Sequence, residues 1–241
     1  MSATRAEVCV AACADLFAGA GEILASPMGL VPGLGARLAR LTSEPDLLLS
    51  DGEAYLLTPD GTTEGWLPFR KVFDVVASGR RHVVMGANQI DRYGNQNISA
   101  IGDHSQPTRQ LLGVRGAPGN TVNHRTSYWV PRHSKRIFVE QVDVVSGVGY
   151  DKKAGPFHDI HRVVTNLAVF DFAGPNRAMR MVSVHPGVDV QEVRDQTGFE
   201  LAVEDMATED IAITREPTEH ELDLIRTVLD PDGRRDREVR G

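Results

Sequence analysis

Residues 82–87, HVVMGA, form an unbroken apolar run. A strand with one face in water alternates apolar and polar residues. A run without alternation is buried on both faces, as in a parallel sheet covered by crossover helices. Leu47-Leu48-Leu49 repeats the signal within a strand expected at 46–49. Helical spacing surrounds these runs. TRAEVCVAACADLFA (4–18) ends at Gly19, a second helix begins near Gly33 after a Gly/Pro-rich loop, and a third covers 69–77 before Ser78-Gly79. LLGVRGAPGN (111–120) reads as a strand entering a glycine loop, and RIFVE (136–140) as a further strand. HRVVTNLAVFDF (161–172) and AMRMVSV (178–184) flank AGPN as a hairpin. VQEVRDQTGFEL reads as a helix ended by Gly198, and TEHELDLIRTVLD opens on a capping box of Thr218 and Glu221. Strands alternating with helices predict an α/β fold: an open, mostly parallel sheet with flanking helices. The expected organisation is a single domain, 1–241, with a charged tail at about 231–241 that frays.

Composition narrows the function classes. The net charge of −7 argues against a general nucleic-acid binder, which carries a basic excess. No apolar stretch is long enough to cross a bilayer, and the start lacks the pattern of a secretory signal. A cytoplasmic protein is expected, with no nucleic-acid or membrane partner. Cys9 and Cys13 lie four apart in an alanine-rich helix with no further zinc ligands beside them. They read as small core residues, and no metal site is expected.

Three segments can carry chemistry. At 50–53, Ser-Asp-Gly-Glu ends the Leu47–Leu49 run, which makes Ser50 and Asp51 the catalytic candidates. At 113–120, Gly113, Gly116 and Gly119 recur every three residues around Arg115, Ala117 and Asn120. Such a loop lets backbone N–H groups approach a phosphate or a developing oxyanion, but the same pattern also makes a tight surface turn. It matches neither the P-loop nor the dinucleotide fingerprint. At 86–97, Gln89, Asn95 and Asn97 crowd amides beyond a buried strand, where they either orient a polar substrate or satisfy loop backbone. His104, in IGDHSQ, can serve as a base or as a hydrogen-bonded loop residue.

In this order, GANQIDRYGNQN, IGDHSQPTR, GVRGAPGN, HSKRIFVEQVDVVSGVG, VVTNLAVFDF and HPGVDVQEVRDQTGFEL resemble the β subunits of class I coenzyme A transferases, the glutaconate type in particular. The resemblance runs from the opening helix to about Asp230. It implies the open α/β fold of that family, shared distantly with sugar-phosphate isomerases. It also implies an α-subunit partner of similar fold in an α2β2 assembly, and an acyl-coenzyme A bound near the α/β interface. Coenzyme A then enters as part of the substrate, with no cofactor held permanently.

In the transferases a β-subunit glutamate at the end of an apolar strand attacks the thioester. Here the register that keeps Gly52 in place puts Ser50 at that position, and a one-residue shift puts Asp51 there. The covalent relay needs a carboxylate as acyl carrier. No local Ser-His-Asp arrangement offers a substitute. The same departure is found in the ring-cleaving hydrolases of bacterial steroid degradation, whose β subunit this chain also resembles. That resemblance implies hydrolytic opening of a cyclic β-keto acyl-coenzyme A, with water as the acceptor. The base that activates the water is then expected from the α subunit. A transferase using Asp51, and a non-catalytic structural subunit, are the alternatives.

Overall fold

A computed structural model describes residues 2–202 and 211–239. Helix α1 (Arg5–Asp15) starts on a capping box in which Thr4 and Glu7 satisfy each other's backbone N–H groups. Strand β1 (Leu24–Pro27) leads into helix α2 (Leu30–Leu41), which begins earlier than Gly33 because Gly29, at φ 117°, turns the chain directly into it. Strand β2 is Leu48–Ser50. The segment 50–68 contains a hairpin of β3 (Tyr55–Leu57) and β4 (Thr63–Trp66). These strands are too short for alternation to reveal them. Asp60 and the positive-φ Gly61 make their turn.

Helix α3 (Phe69–Ser78) follows, ending on left-handed Gly79, and then β5 (Arg81–Gly86), the apolar run. Two small hairpins come next, β6 (Gln89–Ile90) with β7 (Gln96–Asn97), and β8 (Ala100–Ile101) with β9 (Arg109–Gln110). The expected strand at 111–120 is not formed. Helix α4 (Ala117–Asn123) starts inside the glycine segment. Strand β10 (Arg125–Val130) lies in the middle of the sheet, and the sequence reading passed over it. Its RTSYWV carries aromatic and β-branched residues, but no run of aliphatics marks it.

The expected strand at 136–140 reduces to one bridge, Ile90 with Phe138. The stretch 161–172 is two strands, β11 (Asp159–Thr165) and β12 (Ala168–Asp171). Thr165 Oγ1 accepts from the N–H groups of Leu167 and Ala168 and turns the chain between them. Strand β13 (Arg180–Val184) pairs antiparallel with β12 across AGPN, as expected. Helix α5 is Val190–Asp195, and β14 (Ala212–Ile213) closes the sheet. Helix α6 (Glu219–Asp223) carries the expected Thr218/Glu221 capping box and continues as a π-helical turn, Leu224–Leu229.

Among the described residues ten of these strands form one sheet, ordered β14-β13-β12-β11-β10-β5-β1-β2-β3-β4, and β6-β7 and β8-β9 stay outside it. Its centre, β11 to β2, is parallel, and antiparallel strands flank it on both sides. This is the open, mostly parallel sheet with flanking helices that the sequence predicts. Period-two alternation divides the core. Val84, Trp129 and Val164 pack with α1 and α2. Val83, Met85, Tyr128, Val130 and Val163 pack on the other face with Phe138, Phe170 and Phe199. A Cβ on Gly35 of α2 would lie 2.6 Å from Cys13 Cβ, so the two helices cross in close contact. Both thiols are buried, which pushes Cys9 up to about 12.

The tail is docked through residue 239, contrary to the expected fraying; residues 240–241 lie outside the described ones. Helix α7 (Arg235–Glu238) sets Arg235 NH2 2.8 Å from buried Glu7 Oε1, and Arg226 Nε lies 2.7 Å from the same oxygen. Burial raises the Glu7 carboxyl, but the hydrogen bonds from Arg226, Thr4 and Arg235 outweigh it and bring the group down to about 2. Among the described residues, no helix is long and apolar enough to cross a membrane.

Candidate active site at the end of β2

Parallel strands end together at one edge of a sheet, and ligands of open α/β folds gather there. At this edge Ser26 of β1 and Ser50 of β2 point to the face that carries α4. Ser50 is 4% exposed. Its O–H donates to the Ala25 carbonyl at 2.9 Å, so the Ser26 hydroxyl must donate across the 3.0 Å gap to Ser50 Oγ. Arg81 Nε–H in turn donates to Ser26 Oγ at 2.7 Å, and Gly52 N–H reaches Ser50 Oγ at 3.2 Å. The Ser50 proton therefore rests on a backbone carbonyl. Among the described residues no histidine or carboxylate bonds to its oxygen.

Asp51 is exposed. Its Oδ1 accepts from the N–H groups of Glu53, Ala54 and Tyr55 at 2.8, 2.9 and 3.1 Å. One carboxylate oxygen thus folds the turn into β3. Gly52 sits at φ 88°, and a Cβ there would lie 2.6 Å from the Pro27 carbonyl oxygen. A pocket of about 220 Å³ opens beside this loop, lined by Gly29, Leu30, Arg37, Leu49, Ser50 and Asp51 among others.

The glycine segment 113–120 meets this loop. Gly113 and Arg115 take positive φ (80° and 46°), and the Arg115 guanidinium pairs with the Glu53 carboxylate. Gly116 caps α4, Gly119 packs toward Val76 of α3, and Ala117 is buried. Asn120 is 1% exposed. It accepts from Arg81 NH1 at 3.1 Å and donates to Met85 Sδ at 3.4 Å. Its side chain is turned into the protein, so the expected direct role as an oxyanion donor does not fit this residue. Leu112 and Val114, in this segment, are exposed, as are Tyr55 and Trp66, which face each other across β3 and β4.

The amides of the third segment bond to neighbouring loops. Gln89 Oε1 accepts from Asn97 Nδ2 and from Asp143 N–H, and Gln89 Nε2 donates to Asp143. Asn95 Nδ2 donates to Asp91 and Asp151, while its oxygen takes Gly149 N–H. Asn97 donates a second time to the Ala100 carbonyl. All three are buried; Gln89 and Asn95 bond to the excursion around residues 143–151, and Asn97 bonds to Gln89 and to its own turn. His104 stands exposed on an outer loop.

Two site residues escaped the sequence reading, Ser26 and Arg81. Arg81 is 7% exposed, and its third bond runs from NH2 to the Gly52 carbonyl at 3.2 Å. Burial lowers it to about 10. The only available signal was an arginine at the head of an apolar strand, and from sequence that reads as a solvent-facing strand end.

The chain is similar to known proteins over nearly its whole length. Residues 73–196 match the profile of a family described as Coenzyme A transferase. The chain is 62% identical to the cholesterol ring-cleaving hydrolase IpdB subunit of Rhodococcus jostii (strain RHA1), covering 98% of this chain and 96% of that one. It is 60% identical to the subunit of the same name from Mycobacterium tuberculosis (strain ATCC 25618 / H37Rv), covering 98% and 99%. The crystal structure of Rhodococcus jostii RHA1 IpdAB superposes with a TM-score of 0.93 at 60% identity, over the whole of both chains. The profile match and the near full-length identity place the chain in the coenzyme A transferase family.

Proposed function

We propose that the chain is the β subunit of a heteromeric hydrolase that opens a cyclic β-keto acyl-coenzyme A in steroid ring degradation. The identity of 60–62% to ring-cleaving hydrolase subunits, over nearly the full length of each, supports the activity. The observation that carries the mechanism is the end of β2. Of the two residues that the family registers offer at the transferase glutamate position, Ser50 is buried with its proton committed to Ala25, and the Asp51 carboxylate folds its own turn. With no acyl carrier, water is the acceptor. Hydroxide adds to the ring ketone, and the bond between that carbon and the carbon next to the thioester breaks. The electron pair passes to the thioester as an enolate, which is protonated on carbon. The products are a new carboxylate and an open-chain acyl-coenzyme A.

The partner is an α subunit of the same family, in an α2β2 assembly, and it supplies the base that activates water. Exposed Tyr55, Trp66, Leu112 and Val114 beside the site give it an apolar surface to cover. The enolate is held by backbone N–H groups of the 113–119 segment, which Gly113 and Gly116 leave accessible.

Asp51→Asn separates hydrolysis from transfer. Asparagine keeps the Oδ1 acceptor that folds the turn and loses the nucleophilic carboxylate. Turnover of the assembled enzyme on a cyclic β-keto acyl-coenzyme A is expected to stay within about threefold of wild type. A loss of about a thousandfold or more with assembly intact would return the carboxylate to the chemistry.

A further inference from the structure

Arg81 is a buried guanidinium among neutral partners. Its three bonds go to the Ser26 hydroxyl, the Asn120 amide oxygen and the Gly52 carbonyl. Among the described residues no carboxylate pairs with it. A buried charge without a counter-charge is costly and persists where something else depends on it. What depends on it here is visible: its bonds join the β2 end loop to the first turns of α4, the two segments that border the site, and through Ser26 it orients Ser50. The Glu53–Arg115 pair joins the same two segments at the surface, where solvent screens it. Arg81 is the link beneath. His124, buried at the end of α4, is held neutral by burial and by the Arg81 charge, and is lowered to about 4. The positive charge in this region therefore stays on the guanidinium.

We propose that Arg81 is a positioning residue of the ring-opening site: it clamps the 50–53 loop to the α4 segment and keeps an uncompensated positive charge beneath them that favours the enolate. The charge part of this proposal rests on the hydrolase reading; the clamp part does not. A buried, unscreened charge acts over several ångströms, whereas a neutral clamp acts only through its bonds.

Asn120 allows the charge to be cancelled without loosening the clamp. In Asn120→Asp the Oδ acceptor stays and a counter-charge appears. In Asn120→Ala the bond is lost and the charge remains. On the assembled enzyme, Asn120→Asp is expected to lower kcat at least about tenfold below Asn120→Ala, with KM little changed. A merely structural role predicts the reverse order, because the aspartate strengthens the clamp. Arg81→Lys, which keeps the charge, is expected to retain more kcat than Arg81→Gln. The clamp has a readout that needs no substrate: amide hydrogen exchange of residues 50–55 and 113–119 is expected to quicken about tenfold or more in Arg81→Gln. Exchange unchanged in that variant overturns the clamp, and Asn120→Asp at or above Asn120→Ala overturns the charge. A wild-type complex inactive on every cyclic β-keto acyl-coenzyme A would instead refute the hydrolase reading, and the exchange arm would still decide the clamp.

Discussion

Replacing Gly52 by alanine is expected to lower kcat of the assembled enzyme by about a hundredfold, the scale of loss from misplacing a site by about an ångström. Two observations set this expectation. Gly52 occupies φ 88°, a region that an L side chain rarely adopts. A Cβ there would also meet the Pro27 carbonyl oxygen at 2.6 Å and Met28 Cγ at 2.9 Å. The methionine can swing aside, but the carbonyl belongs to the end of β1 and cannot. The loop has to move outward, which breaks the Arg81 bond to the Gly52 carbonyl and displaces the turn that Asp51 folds. Most of the hydrophobic core lies elsewhere, so the variant is expected to fold and to assemble. Steady-state kinetics alongside gel filtration checks the result. Activity within about threefold of wild type in an assembled Gly52→Ala enzyme would show that this loop does not shape the site.

A steep acid destabilisation is the second large effect expected. Four buried histidines are held neutral: His124 and His185 are lowered to about 4, His133 to about 3, and His82 well below its ordinary value. Burial is the first cause in each case. His133 is wedged between Thr165 and Thr197 and stacks 3.9 Å from Phe138, and His185 bonds to Thr214 and the Thr165 carbonyl. The unfolded chain takes up these protons near pH 6.5, whereas folded His124, His185 and His133 do so only near pH 3–4, and burial lowers His82 as well. Their contribution is therefore complete above the unfolded value and is lost as pH falls from about 6.5 toward 4, at up to about 1.4 kcal/mol per histidine per pH unit. The low carboxyl of Glu7 adds to the loss only below its unfolded value of about 4.5. Calorimetric Tm of the complex is expected to drop by about 10 °C or more between pH 7.5 and pH 5. A Tm flat across that interval would mean that these rings are solvated or charged in the folded protein.

The parallel centre of the sheet was legible because HVVMGA and the 47–49 run are written in aliphatic residues. Strand β10 was not, because Arg-Thr-Ser-Tyr-Trp-Val carries its β preference in aromatic and β-branched residues that no simple run captures. RIFVE misled for the opposite reason. Phe138 is buried against His133, Phe170 and Phe199, so the apolar residues serve packing while the backbone makes only a single bridge.

Several of the phrases that carried the family resemblance make scaffold contacts. Gly198, of Thr-Gly-Phe, donates to the Phe138 carbonyl, and a Cβ there would lie 2.3 Å from that oxygen. His185, of His-Pro-Gly, packs against Cys9 and Thr165. Asn95 likewise ties its own loop to Asp151 and Gly149. At the site, sequence found the 50–53 and 113–120 segments but could not give the direction of their side chains. Asn120 points inward, Ser50 donates to backbone, and the residue that joins them, Arg81, comes from a third segment. Such convergence is a property of the fold: Arg81, at the start of β5, reaches across to Ser26 of β1 and to the loop that follows β2.

The claim that the covalent relay is absent is tested most directly by supplying the assembled enzyme with a cyclic β-keto acyl-coenzyme A in ¹⁸O water, with a free carboxylic acid added as competing acceptor. The account predicts ring-opened product with one solvent oxygen in its new carboxylate, coenzyme A still in thioester linkage to the product, and no adduct on this chain after borohydride. Transfer of coenzyme A to the added acid, or a trapped adduct at residues 50–53, would contradict it.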